Sequence, residues 1–281
     1  MTSGRLDPCQ PVDADLHLVT MLTLQASGAR GALPVRLYTP PATTSDRLIV
    51  FFPPGGFVEN TIDDLESFVQ ALALRTGCKV LASPYTLADE APFPAAAEDA
   101  HAVLTWVAKS RKLLDWLEGK LIVAGIEAGG NLAAVVSLMA RDRGQPQIDG
   151  QMLVTPMLDP ELSTGSMRAM APNGNGPAVA DACAAGYRGY LANSADRIHP
   201  YASPLQSSRL KGLPPTLILS AEDDALRDEA ERYGARLQEH GVATTLVRLP
   251  PLHIQDAAAR CDAVRIEGAL RAMAEFVQTV N

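Results

Sequence analysis

The chain has 281 residues, 47% of them hydrophobic and 20% charged, with a formal net charge of −8 at pH 7. That length and apolar fraction suit one folded domain with a full core, and they exclude a disordered or low-complexity chain. The negative balance and the lack of a basic run make nucleic acid or an anionic membrane surface poor partners. No apolar stretch approaches membrane-span length, so no membrane span is expected.

The first residues, Met1-Thr2-Ser3-Gly4-Arg5-Leu6-Asp7-Pro8, carry no apolar h-region, and no signal peptide is expected. Cys9, Cys78, Cys183 and Cys261 are scattered without C-x-x-C spacing. They read as reduced, structural thiols of a cytoplasmic protein. The histidines are equally dispersed, so neither a metal site nor an organic cofactor is indicated.

Strand-like and helix-like segments alternate along the chain, which predicts a mostly parallel sheet with helices on both faces. About thirty residues precede the first clear strand, enough for roughly one helix. Leu33–Tyr38 reads as an edge strand that tolerates its internal Pro34. Leu48–Phe52 is a buried strand ended by Pro53-Pro54-Gly55-Gly56. A helix follows from Asp63 to Arg75, with acids in its first turn and Gly77 as its stop. Val80–Ser83 is the next strand, and Pro94 opens a helix through Trp106.

The most informative stretch comes next. The apolar run Leu121-Ile122-Val123-Ala124 leads into Gly125-Ile126-Glu127-Ala128-Gly129, and the helix-like Asn131-Leu132-Ala133-Ala134-Val135-Val136 follows. Strand, Gly-flanked turn and helix are the context of the nucleophile elbow G-x-S-x-G, but its centre here is Glu127. Ser83 ends a neighbouring strand and Ser137 lies well inside the helix, so neither matches a nucleophile position.

Gln151–Thr155 is another strand. The alternation then lapses over residues 157–212, where a turn-rich stretch (Met170–Pro177) precedes a short helix at Ala180–Leu191. Pro215–Ser220, a helix at about Leu226–Glu239, the strand Thr244–Leu249 and a final helix through most of 255–279 complete the chain. The whole of 1–281 therefore reads as one domain, with cap elements at about 1–25 and 157–212.

Taken in order, Phe52-Pro53-Pro54-Gly55-Gly56-Phe57, the run Tyr85–Pro94, Gly125–Ala133, Ser203-Pro204-Leu205, Asp224–Glu229 and Leu252-His253 resemble the hormone-sensitive-lipase-like branch of the α/β-hydrolases. The resemblance implies an α/β-hydrolase fold with a small helical cap, and a carboxylesterase- or lipase-like hydrolase acting on a small apolar ester-type substrate. It assigns the acid to Asp224, with Asp223 as the neighbouring alternative, and the base to His253. It assigns the oxyanion donors to Gly55, Gly56 and Ala128. By analogy alone it suggests a homodimer through the late strand and final helix. His240 suits a helix end, and His17, His101 and His199 match no motif position.

Two substitutions set this chain apart from the pattern. Pro53 and Pro54 stand where the H-G-G-G loop has its His and first Gly, which would displace the loop because proline fixes φ and lacks an N–H. Glu127 removes the hydroxyl that forms an acyl-enzyme. Three placements of its carboxylate are open: paired with His253, folded into the oxyanion donors, or free toward an enclosed pocket. The last keeps Glu127, Asp224 and His253 as a catalytic set, while the first two remove ordinary esterase turnover. A lyase or cyclase on the same scaffold, or a catalytically inactive ligand binder, are the alternatives to a hydrolase.

Overall fold

The computed structural model of the protein describes residues 15–59, 61–169, 176–254 and 257–280. Within them, one sheet of eight strands organises the chain: β1 (Thr20–Ser27), β2 (Ala32–Thr39), β3 (Leu48–Phe52), β4 (Lys79–Ala82), β5 (Leu121–Ile126), β6 (Gly150–Val154), β7 (Thr216–Ala221) and β8 (Thr244–Leu249). Their spatial order is β1-β2-β4-β3-β5-β6-β7-β8. Strand β2 runs antiparallel to β1 and β4, and all other pairings are parallel.

Every residue of β3, β4, β5, β6 and β7 is buried. That is why these strands read as unbroken apolar runs rather than alternating ones, since parallel strands are covered on both faces. Helices α2 (Ala95–Lys109), α3 (Ala128–Arg143) and α6 (Arg227–Glu239) pack on one face. Helices α1 (Glu66–Thr76), α7 (Ala257–Ala263) and α8 (Glu267–Thr279) pack on the other. Helices α4 (Gly165–Ala169) and α5 (Gly176–Tyr190) lie between β6 and β7, in the segment expected to form the cap.

Two elements differ from expectation. Among the described residues ahead of the first expected strand, where roughly one helix was expected, there is a single helical turn at Leu16–Leu18 followed by β1, which pairs with β2 along its full length. Thr20, Thr23 and Leu24 suit an extended chain, and Gly28 N–H donates to Gly31 O at 2.8 Å to close the hairpin. The final helix is broken by extended backbone at Ile266 (φ −111°, ψ 156°). The turn-rich stretch at 170–175 lies outside the described residues, as do most of the residues expected in an N-terminal cap.

The loops after β3, β5, β6, β7 and β8 all leave the carboxyl edge of the sheet, where open α/β sheets build their sites. They carry Gly55 and Gly56, Glu127, Thr155, Asp223 and Asp224, and His253 respectively.

Candidate active site

Helix α3 starts where β5 ends, with no residue to spare beyond Glu127. Glu127 has φ 54° and ψ −112°, a region that side-chain-bearing residues rarely occupy. The neighbouring structure holds it there. Glu127 N–H donates to Val154 O at 3.0 Å, and its carbonyl accepts from Asn131 N at 3.0 Å and Met157 N at 3.1 Å. The flanking glycines are required by closeness: a Cβ on Gly129 would lie 2.0 Å from Phe52 O, and one on Gly125 would lie 2.1 Å from Gly129 O. The strained strand–turn–helix geometry of an elbow is therefore complete, with a glutamate at its tip.

The Glu127 carboxylate points into the loop after β3. Its Oε2 accepts from Gly55 N at 2.8 Å, Gly56 N at 3.0 Å and Ala128 N at 3.1 Å. Three backbone donors converging on one point form the arrangement that stabilises an oxyanion. Here the point is filled by the chain's own carboxylate, and Glu127 is only 4% exposed. The displacement expected from Pro53 and Pro54 does not reach these donors. The prolines stand where no N–H is needed, while their carbonyls accept from Tyr85 Oη at 3.3 and 3.4 Å and from Thr61 Oγ1 at 2.8 Å.

Helix α5 closes over this loop. A Cβ on Gly186 would lie 2.4 Å from Gly56 O, so the helix backbone rests directly on the loop. Phe57 stacks on Tyr190 with ring centres 3.9 Å apart and planes within 8°. Burial, and then the nearby Glu127 charge, push the Tyr85 phenol and the Cys183 thiol well above their ordinary values.

The acid and the base are not brought together. The Asp224 carboxylate lies 2.6 Å from Arg260 Nη1 through one oxygen and 3.4 Å from Nη2 through the other. Arg260 Nη1 also donates to Thr155 Oγ1 at 2.9 Å. Both side chains of the pair are about as buried as side chains become, at 2% and 1% exposure. Burial works against the Arg260 charge, but Asp224 and Glu127 outweigh it and its affinity for the proton rises. His253 stands apart, with its side chain 84% exposed and Nδ1 3.2 Å from Asp223 Oδ2. Asp223 also accepts the N–H groups of Leu252 and His253 at 2.8 Å each, which fixes His253 at φ 52°.

Asp224 as the partner of His253 is thus corrected. The buried acid holds Arg260, and the neighbouring Asp223 holds the histidine. No placement of Glu127 against His253 occurs among the described contacts. Sequence reasoning missed Arg260, whose one signal was a lone cation in the apolar run Ala257-Ala258-Ala259-Arg260-Cys261. It also missed a role for Glu229. Its Oε2 accepts from Leu158 N at 3.1 Å and Asp159 N at 2.8 Å, and its Oε1 is buried with no partner among the described residues. Burial, reinforced by Asp159 and Asp224, raises the Glu229 carboxyl well above the usual range despite those two N–H donors. No cluster of metal-ligating side chains occurs among the described residues.

The family model described as alpha/beta hydrolase fold matches residues 49–253, from the strand before the oxyanion loop to the histidine. The chain belongs to the hormone-sensitive-lipase-like α/β-hydrolase family. Curated relatives include several esterases. The chain is 34% identical to the esterase LipI of Mycobacterium tuberculosis over 84% of its own length and 73% of the relative's. It is 32% identical to an arylesterase of Saccharolobus solfataricus over 77% of its length and 70% of that protein's. Among solved structures, a thermostable esterase from Pseudomonas putida superposes with a TM-score of 0.84 at 28% identity, covering 96% of this chain and 85% of that one. A hyperthermophilic esterase from Pyrobaculum calidifontis gives 0.82 at 33% identity, covering 93% and 85%. Like these relatives the chain is a carboxylesterase-like hydrolase by family, and no helix among the described residues is long and apolar enough to cross a membrane.

Proposed function

We propose that this family member is catalytically silent toward esters and serves as a binding scaffold for a small apolar molecule. The observation that carries the reading is the Glu127 carboxylate held by the N–H groups of Gly55, Gly56 and Ala128. A substrate carbonyl needs that same point. An acyl-enzyme also needs a hydroxyl or thiol nucleophile with a base beside it, and His253 faces solvent. The rings of Phe57, Tyr187 and Tyr190, packed on one another where α5 meets the loop after β3, make these surroundings apolar, which supports an apolar ligand over a charged one.

A lyase or cyclase that polarised a substrate carbonyl would need the donors that Glu127 Oε2 occupies, which argues against it. The homodimer suggested by family analogy belongs here too: among the described residues β8 pairs with β7 alone.

Hydrolysis of p-nitrophenyl acetate and butyrate tests the reading. The protein is expected to match the uncatalysed rate. Glu127→Ser is expected to fall at least about 10⁴-fold short of an intact triad, because freeing the hole does not return the histidine to Asp224. Robust turnover that Glu127→Ala abolishes would make Glu127 a catalytic residue and overturn the proposal.

A further inference from the structure

The turn after α2 carries a feature that neither the fold nor the site uses. Leu113 and Leu117 are 59% and 63% exposed, although Leu114 and Trp116 between them are buried. Lys109, Arg111 and Lys112 fall within four residues of sequence beside them. Together they line an open hollow of about 610 Å³. The expectation that an anionic surface is a poor partner rested on the overall charge of −8 and on the lack of a basic run, and it passed over the short cluster Lys109-Ser110-Arg111-Lys112.

The turn is held rigid from beneath. Trp116 Nε1 donates to Asp46 O at 2.7 Å. Lys79 Nζ donates to Leu114 O at 3.1 Å, to Asp115 O at 2.8 Å and to the Asp115 carboxylate at 2.9 Å. The Arg111 guanidinium lies 4.0 Å above the Trp116 ring. Lys79 therefore neutralises Asp115, and Glu118 is the remaining acid on the turn. No carboxylate of the described residues lies within ion-pair distance of Lys109, Arg111 or Lys112.

Two outward leucines on a preorganised turn, ringed by cations without carboxylate partners, match a surface that is apolar at depth and anionic at its rim. We propose that this turn docks the protein on an anionic lipid surface, with Leu113 and Leu117 at the acyl boundary and Lys109, Arg111 and Lys112 against phosphates. An acidic protein would satisfy the cations but give the paired leucines no apolar phase in an open hollow. The turn leads into the amino end of β5, whereas Glu127 follows its carboxyl end, so docking leaves the elbow side free.

Vesicle co-sedimentation of the full chain tests this, using phosphatidylcholine with roughly 30% phosphatidylglycerol in about 0.1 M salt, where charges act over ~10 Å. The protein is expected to pellet with these vesicles and not with phosphatidylcholine alone. Leu113→Ser/Leu117→Ser and Lys109→Glu/Lys112→Glu should each lower the partition coefficient about tenfold or more. Ile198→Ser, at a site 73% exposed on the cap, should leave it unchanged. Matching thermal melts would show that the variants fold. Protein that stays in the supernatant overturns the proposal, as does binding that both double variants retain. Capture by soluble polyglutamate without vesicle binding would also overturn it and assign the turn to an acidic protein.

Discussion

Replacing Glu127 with alanine separates a plug from a catalytic group by the sign of the stability change. Alanine keeps a Cβ at φ 54°, so the backbone strain is common to both proteins and the difference reports the side chain. The change leaves the N–H groups of Gly55, Gly56 and Ala128 without their acceptor. Hydrogen bonds to a charged group contribute about 1.5–3 kcal/mol each, so three set a gross loss of roughly 4.5–9 kcal/mol. Water entering the vacated space recovers part of this, and a net loss of about 2–5 kcal/mol is expected. At roughly 2–4 °C per kcal/mol for domains approaching this size, the melting temperature should fall by about 4–20 °C. Differential scanning fluorimetry with urea unfolding measures both quantities. Acetate should then fill the freed donors and stabilise the variant but not the parent protein, by about 2.7 kcal/mol at a hundred times its Kd. A variant as stable as the parent, or more stable, would refute the plug. Such a gain is the usual result of relieving a site kept strained for catalysis.

Two further outcomes follow from the buried charges. Arg260→Met leaves the Asp224 carboxylate buried without its cation and should cost about 3–5 kcal/mol, whereas Asp224→Asn/Arg260→Met should recover most of that loss. Urea unfolding of the four proteins in a double-mutant cycle checks this, and simple additivity would contradict it. The raised Glu229 carboxyl keeps in the folded state a proton that the unfolded chain loses near pH ~4.3. Its contribution is therefore full below that pH and is lost as pH rises toward the folded value. Glu229→Gln carries no such proton, so it should match the parent near pH 4 and grow relatively more stable toward pH 7. A difference independent of pH would refute the assignment.

Much of the fold was legible because the central strands are buried on both faces and so stand out as apolar runs. The strand at Leu48–Phe52 was read with the bounds the structure gives it. Strand β1 was missed because its residues are mostly exposed and Met21 and Leu22 break any two-residue alternation. The break at Ile266 was missed because Arg265-Ile266 carries neither Gly nor Pro. In the site, Glu127 and the donors Gly55, Gly56 and Ala128 were legible, since each sits at a fixed offset from an element end. The pairings of Asp223 and Asp224 were not. Adjacent residues leaving one strand point to opposite sides, and which of them meets His253 depends on α7 placing Arg260 against the inner one.

The substitution at Glu127 and the presence of Arg260 explain one another electrostatically. A serine elbow is neutral, and a triad needs only one buried carboxylate with an imidazole that shuttles a proton. With Glu127 the same interior holds the carboxyls of Glu127, Asp224 and Glu229, and the charge of Arg260 is favoured by Asp224 and Glu127 together. An imidazole, titrating near neutrality, is an unreliable counter-charge, whereas a guanidinium stays charged across the whole working range. Arg260 supplies that permanent cation and binds Asp224 through both of its terminal nitrogens, which removes the seat a histidine would take. Restoring serine alone would then leave Arg260 paired with Asp224 beside a neutral elbow. His253 would still face solvent, so the silence toward esters proposed above would belong to a pair of positions and not to Glu127 by itself.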